Sequence, residues 1–93
     1  MIIGVMLLEI YLPYSHSLKD KRSRMSSFKD RLKKKYNIAF SELDYQDKWQ
    51  RTLIGIVTLN NHKRPIENLF NRIIKDAEEN IDGEITHKEI HYQ

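Results

Sequence analysis

Three side chains near the C-terminus have the residue types of a metal site. His87, Glu89 and His91 alternate along a strand-like segment, so their side chains point to one side of the chain. Neighbouring members of this set lie ~6.5–7 Å apart along a strand backbone. That spacing allows a two-residue chelate but keeps the two histidines from meeting at one ion. Surface residues of an edge strand explain the pattern better, so we predict no metal site.

No other set of residues has the spacing of a catalytic site. Asp44 and Asp47 could form an acid–base pair, but carboxylates in a hairpin loop usually form turns or salt bridges. The sequence has no cysteine, which excludes thiol catalysis and disulfides, and its three glycines leave no room for a phosphate-binding loop. We therefore expect a protein that is not an enzyme and has no catalytic residue, cofactor or metal.

A run of basic residues dominates the charge pattern. Residues 19–35 include nine basic and two acidic side chains, whereas residues 66–93 include three basic and seven acidic ones. Such a positive segment attracts polyanions, and RNA is the obvious partner. A solvated helix face would show the same run, and both interpretations stay open. The basic residues predicted to contact nucleic acid are Lys19, Lys21, Arg22, Arg24, Lys29, Arg31, Lys33, Lys34 and Lys35.

The start of the first predicted helix could hold a phosphate. Free backbone N–H groups there, together with Lys19, Lys21 and Arg22, could converge on one anion. Ser17 and Asp20, however, have the spacing of a capping box, which uses some of those donors. A purely structural helix cap is the preferred interpretation.

The segment from Asp44 to Arg51 is the most unusual part of the chain. Trp49 and Arg51 belong to the residue types that stack on and hydrogen-bond to unpaired bases, so we predict them as additional nucleic-acid contacts. The alternative is that Trp49 fills the end of the core while Arg51 pairs with Asp44 or Asp47. Paired aromatics of the kind found in RNA-recognition motifs are absent, so base-specific contacts on the sheet are not expected.

The elements that position these residues alternate between strand and helix patterns. Strands are predicted at residues 2–12, 38–43, 49–59 and 84–92, with a first helix at about 18–36. The second predicted helix is capped by Asn61 or a neighbour, has Pro65 in its first turn and ends at Asn80 to Gly83. In the last strand, Ile85 and Ile90 fall on opposite faces. The β-α-β-β-α-β order predicts one α+β domain over residues 1–93. Its fold is a ferredoxin-like sandwich with antiparallel sheet order 4-1-3-2 and both helices on one face.

The sheet side without helices is predicted to be apolar. Val5 and Leu7 of the first strand and Ile54 and Ile56 of the third would form a patch there. Exposed apolar patches usually mark partner surfaces. We therefore expect a homodimer, and a protein-interaction module without any nucleic-acid role is the alternative function.

Three stretches of the sequence resemble a known family. The MIIGV strand, the segment from Ser17 to Arg22 and the hairpin sequence QDKWQR are similar to the YlxP-like family of small bacterial proteins of undetermined function. The resemblance covers essentially the full length and implies a ferredoxin-like fold. It also implies a ribosome or translation context, because such proteins are often encoded beside a translation initiation factor and ribosome-binding factor A. It brings no catalytic residues.

The N-terminal apolar segment does not indicate membrane insertion. It is far shorter than the ~20 residues of a membrane helix and has Glu9 within it. We expect a cytoplasmic protein without a membrane partner. Together with the charge pattern, the resemblance predicts a non-catalytic protein that associates with RNA or ribosomes.

Overall fold

The computed structural model describes residues 1–93, and its elements follow the predicted order. They are β1 (Ile2–Tyr11), α1 (Leu18–Lys35), β2 (Ala39–Asp44), β3 (Arg51–Asn60), α2 (Lys63–Asn80) and β4 (Glu84–Tyr92). The strands form one antiparallel sheet in the order β2-β3-β1-β4. This arrangement confirms the predicted ferredoxin-like fold and its strand order.

The core lies between the helices and one face of the sheet. Even-numbered side chains of β1, including Met6, Leu8 and Ile10, are fully buried there. α1 adds residues at i, i+3 and i+4 spacing, and α2 does the same over a broader apolar stripe. The helix residues buried against the sheet are Met25, Phe28, Leu32, Ile66, Phe70, Ile73 and Ala77. Neither helix combines the length and the apolar character needed to cross a membrane.

The phase of β3 is the reverse of the one predicted for the apolar patch. Ile54 and Ile56 are fully buried in the core, so placing them on the side without helices was wrong. They share that face with Thr52 and Thr58, whose buried hydroxyls donate to acceptors elsewhere in the chain. The Thr58 hydroxyl donates to the Asn37 carbonyl over 2.9 Å, and the Thr52 hydroxyl donates to Glu42. Satisfied hydroxyls remove the main cost of turning these threonines inward.

A bulge in β4 places two isoleucines on the same face. Ile90 pairs with Met6 and Ile85 pairs with Ile10, and both isoleucines pack against the core. The prediction of opposite faces was wrong because the register shifts by one residue between them. Thr86 is the extra residue, and its hydroxyl donates to the backbone oxygen of Glu9 over 3.3 Å. A bulge of this kind resets the alternation of a strand.

Candidate nucleic-acid interface

The basic residues of α1 divide into two flanks. One flank faces α2, where Arg31 Nη2 lies 2.9 Å from Asp76 Oδ1 and Lys35 Nζ lies 3.9 Å from Asp76 Oδ2. Arg24 Nε lies on the same flank, 3.3 Å from Asp20 Oδ1. These three residues were predicted to contact nucleic acid, but Asp76 and Asp20 together balance two of their three charges.

The other flank of α1 has unpaired charges. We call Lys19, Arg22, Lys29 and Lys33 the basic row, because their spacing places them along one side of the helix. None of them forms an ion pair, and three of the four are exposed while Lys29 is half-buried. Arg22 and Lys29 also line a groove of about 320 Å³ between α1 and β2. Lys34, further round the helix, is exposed and unpaired as well.

Lys21 is not part of this surface. Its side chain is 1% exposed, and Nζ lies 3.1 Å from a carboxylate oxygen of Glu42. The same ammonium donates to the carbonyl oxygens of Tyr45 over 2.7 Å and of Arg51 over 3.3 Å. The prediction that Lys21 contacts nucleic acid was therefore wrong. The burial of Lys21 could have been predicted from its position, because it lies four residues before Met25, on the same side of α1 as the buried residues Met25, Phe28 and Leu32.

The start of α1 is a structural cap. The Asp20 amide donates to the Ser17 hydroxyl over 3.0 Å, and the His16 amide donates to the Asp20 carboxylate over 3.1 Å. This last bond lowers the pKa of Asp20. With Lys21 buried, the groups that were considered for one phosphate at the helix start do not converge there.

Trp49 does not fill the core. Its side chain is 55% exposed in the loop between β2 and β3, so the structural alternative for this residue was wrong. Hydrogen bonds nevertheless attach this loop to the segment that follows β1. The Gln50 side-chain amide donates to the Pro13 carbonyl over 2.9 Å. The Leu12 amide donates to the Gln50 carbonyl over 2.8 Å.

Arg51 pairs with Glu9 and not with Asp44 or Asp47. Its Nη2 lies 3.2 Å from Glu9 Oε2, and its guanidinium carbon lies 3.8 Å from the centre of the Tyr45 ring. The hydrogen bond to Arg51 is the main reason why the pKa of Glu9 is lowered, and Thr86 adds to it. The same bond raises the pKa of Arg51. The positive charge of Arg51 is therefore already balanced by Glu9 of β1.

A groove of about 470 Å³ connects the loop to the sheet. Its walls are Tyr11, Asp47, Lys48, Trp49, Gln50 and Arg51. Tyr11 was not predicted as a site residue, although it stands at the end of the same alternating set of β1 that includes Glu9. Tyr11 pairs with Arg51 across the sheet, and its side chain is 42% exposed. The groove therefore presents two aromatic side chains together.

The three residues with metal-site chemistry bind one another. His87 Nε2 lies 2.7 Å from one carboxylate oxygen of Glu89, and His91 Nε2 lies 3.2 Å from the other. These hydrogen bonds lower the pKa of Glu89. No group of three or more histidine, aspartate or glutamate side chains is placed to hold a metal ion.

The open sheet face, which we define as the side of the sheet without helices, is partly apolar. Val5 and Leu7 lie there as predicted, half-buried, opposite Val57 and Gly55. Leu59 is 62% exposed at the next paired position, opposite Ile3. The apolar surface is therefore made by the odd-numbered residues of both central strands.

Comparisons with known proteins agree on the family and the fold. A family model described as a protein of unknown function (DUF503) matches residues 3–90. The uncharacterized protein YlxP of Bacillus subtilis (strain 168) is 33% identical over 72 residues, which cover 77% of this chain and 78% of that protein.

Two solved structures share the fold. The de novo designed protein Ferredog-Diesel is 12% identical with a TM-score of 0.54, over 96% of this chain and 83% of the designed one. TA0507, a candidate chlorite dismutase, is 15% identical with a TM-score of 0.58. That alignment covers 99% of this chain but 44% of TA0507. At these identities, the similarity concerns the fold alone.

Proposed function

The chain belongs to the DUF503 family, whose function is unknown, and from that premise we propose that it is a non-catalytic RNA-binding protein acting in a ribosome or translation context. The basic row would bind phosphates without regard to sequence. Trp49 would add a contact to an unpaired base. The family resemblance supports the translation context, and the surface charge supports the choice of RNA.

The observation that carries the proposal is the unpaired state of the basic row. The acidic residues 66–93 could have neutralised α1, but of these acids only Asp76 forms ion pairs with the helix, and it pairs with Arg31 and Lys35. Lys19, Arg22, Lys29, Lys33 and Lys34 keep their charge facing solvent without a protein partner. A polyanion that binds them releases its counterions, which favours binding at low salt.

The test is the salt dependence of binding to a single-stranded RNA. The variant replaces three residues of the basic row with glutamine: Arg22, Lys29 and Lys33. Compared with the wild-type protein, we expect this variant to bind RNA more weakly. In a plot of log affinity against log salt, its slope should be reduced by ~0.7 for each lost phosphate contact, or ~2 in total.

A matched control removes the same charge from α2. It replaces the exposed residues Arg64, Arg72 and Lys75 with glutamine. This control should change the slope much less, because Arg72 and Lys75 lie among the acids of residues 66–93 and Lys75 already pairs with Glu79. Equal effects of both triple variants, or no effect of either, would contradict a binding surface on α1. Co-sedimentation of the wild-type protein with ribosomes, before and after nuclease treatment, tests the ribosome part.

A second function is favoured by the open sheet face. Val5, Leu7, Val57 and Leu59 form a row of aliphatic side chains on this face, which solvent reaches. Such a surface suits a homodimer or another protein partner. In this alternative the charges of α1 serve only to keep the protein dissolved.

A further inference from the structure

We propose that the groove between Tyr11 and Trp49 binds one unpaired nucleobase of an RNA strand, stacked on the indole ring. This inference rests on the proposed RNA binding and names the part of the ligand that this groove takes. Indole and phenol rings stack on any base, since every base has an aromatic face.

The exposure of Trp49 has no role in holding the fold together. The loop is fixed from inside by Lys21, which donates to the Tyr45 and Arg51 carbonyl oxygens, and from the side by Gln50, which donates to the Pro13 carbonyl. These contacts hold the residues on both sides of Trp49, which itself remains 55% exposed. A large aromatic ring held exposed on a fixed loop is preorganised for a ligand.

The groove has the size and composition of a site for a flat organic group. It is wide open to solvent, with a volume of about 470 Å³, so it offers a surface on which a ring can stack and does not enclose a ligand. Tyr11 supplies a second aromatic wall. Asp47 supplies a carboxylate, which accepts hydrogen bonds from the N–H groups at the edge of a base.

The groove has one unpaired cation, Lys48, and one unpaired carboxylate, Asp47. The Lys48 ammonium forms no ion pair, so it is available to a phosphate beside the stacked base. Arg51 remains a fixed cation between Glu9 and the Tyr45 ring. A nucleotide combines a ring for Trp49 with a phosphate for Lys48, whereas an aliphatic side chain of a protein partner would use only the first.

The groove lies at the same end of the molecule as the start of the basic row. Lys21 contacts the loop at Tyr45, and the next residue of α1 is Arg22, a member of that row. Tyr11 and Arg51 belong to the outward-facing sets of β1 and β3, so the groove is on the open sheet face, whereas the basic row is on the helix side. An RNA strand that used both surfaces would therefore pass around this end of the sheet, beside the loop that presents Trp49.

The test uses Trp49 as its own probe, because it is the only tryptophan of the chain. A hexamer of adenylate is titrated into the protein while tryptophan fluorescence is recorded. An abasic hexamer with the same ribose-phosphate backbone and charge is the comparison ligand. We expect quenching with hexa-adenylate only, and affinity for the abasic hexamer lower by ~5- to 100-fold, the effect of losing one stacked base.

Two variants separate stacking from other effects. Because both variants lack tryptophan, all affinities are measured by the fluorescence anisotropy of dye-labelled hexamers. Trp49→Ala should bind hexa-adenylate as weakly as the wild-type protein binds the abasic hexamer, while Trp49→Phe should keep most of the affinity. If Trp49→Ala fails to fold, the comparison of the two ligands on the wild-type protein still decides. Equal affinity for both hexamers, with the salt slope of the basic row intact, would overturn the base site and leave the proposed RNA binding standing. Binding of neither hexamer would overturn both.

Discussion

The ammonium of Lys21 lies 2.7 Å from the carbonyl oxygen of Tyr45, the one residue other than glycine with a positive φ, at 66°. The left-handed conformation costs a residue with a side chain ~1–2 kcal/mol. A buried charge needs partners that satisfy its donors, and Tyr45 and Arg51 supply carbonyl oxygens while Glu42 supplies a carboxylate. The helix residue and the loop conformation therefore depend on each other.

Replacing Lys21 with methionine should destabilise the protein by about 3 kcal/mol. The methionine side chain can occupy the buried space, but the loop carbonyls lose their donor and Glu42 loses its ion pair. The free energy of unfolding from urea titration measures the effect. The matched variant Lys19→Met, at an exposed position without an ion pair, should stay within ~0.5 kcal/mol of wild type. Equal stabilities of the two variants would contradict a structural role for the buried ammonium.

The fold could be predicted from residue periodicity, but the phase of β3 could not. The 3.6-residue period of α2 and the alternation of β1 define the elements without any knowledge of contacts. In β3 both alternating sets contain apolar residues, so hydrophobicity does not show which set faces the core. One set has two isoleucines and two threonines, and the other includes Leu53, Val57 and Leu59. The set that faces the core is the one whose threonine hydroxyls donate to Asn37 and Glu42, and residue periodicity gives no information on these contacts.

The sequence identified the stretch of chain that forms the candidate site, but it did not show which residues of that stretch face solvent without an ion pair. Composition alone identified α1 as the basic element. The division into paired and unpaired flanks depends on Asp76, which reaches α1 from the other helix. The groove likewise depends on the pairing of Tyr11 with Arg51 across two strands. Sequence spacing contains no direct record of either contact.

The Glu9–Arg51 pair should make stability depend on pH in the acid range. The pKa of Glu9 is lowered below its usual 4.5 by hydrogen bonds from Arg51 and Thr86. A carboxyl with a lowered folded-state pKa adds stability above its unfolded-state pKa and loses it as the pH falls through the folded-state value. Compared with wild type, Glu9→Gln should therefore be less stable at neutral pH, and the difference should shrink below about pH 4.5.

The comparison of the two proteins across pH isolates Glu9. Asp20 and Glu89 also have lowered pKa values, so both proteins should lose stability in acid for that shared reason. Only the difference between their free energies of unfolding reports on Glu9. A difference that stays constant down to pH values well below 4.5 would show that the ion pair does not act through ionisation of this carboxyl.

Gly4 and Gly55 should respond differently to alanine. A Cβ atom at Gly4 would collide with Ile66 and approach the Phe70 ring to 3.0 Å, and both of these side chains are buried in the core. We expect Gly4→Ala to cost ~1–3 kcal/mol through overpacking. A Cβ atom at Gly55 would lie 2.7 Å from Leu43 Cδ1, but Leu43 is exposed and can rotate away. Gly55→Ala should change thermal unfolding little, and an equal loss in both variants would contradict this account.

The open sheet face should hold two copies of the chain together. Val57 lies at its centre, paired with Val5 on one side and Ala39 on the other, and its side chain is exposed in the single chain. A lysine there would place a charge between the two apolar faces, which is costly unless the charge is paired. We expect the wild-type protein to sediment as a homodimer and Val57→Lys as a folded monomer. Asn71→Lys, which adds the same charge on the exposed side of α2, should remain dimeric, and a monomeric wild-type protein at high micromolar concentration would contradict the interface.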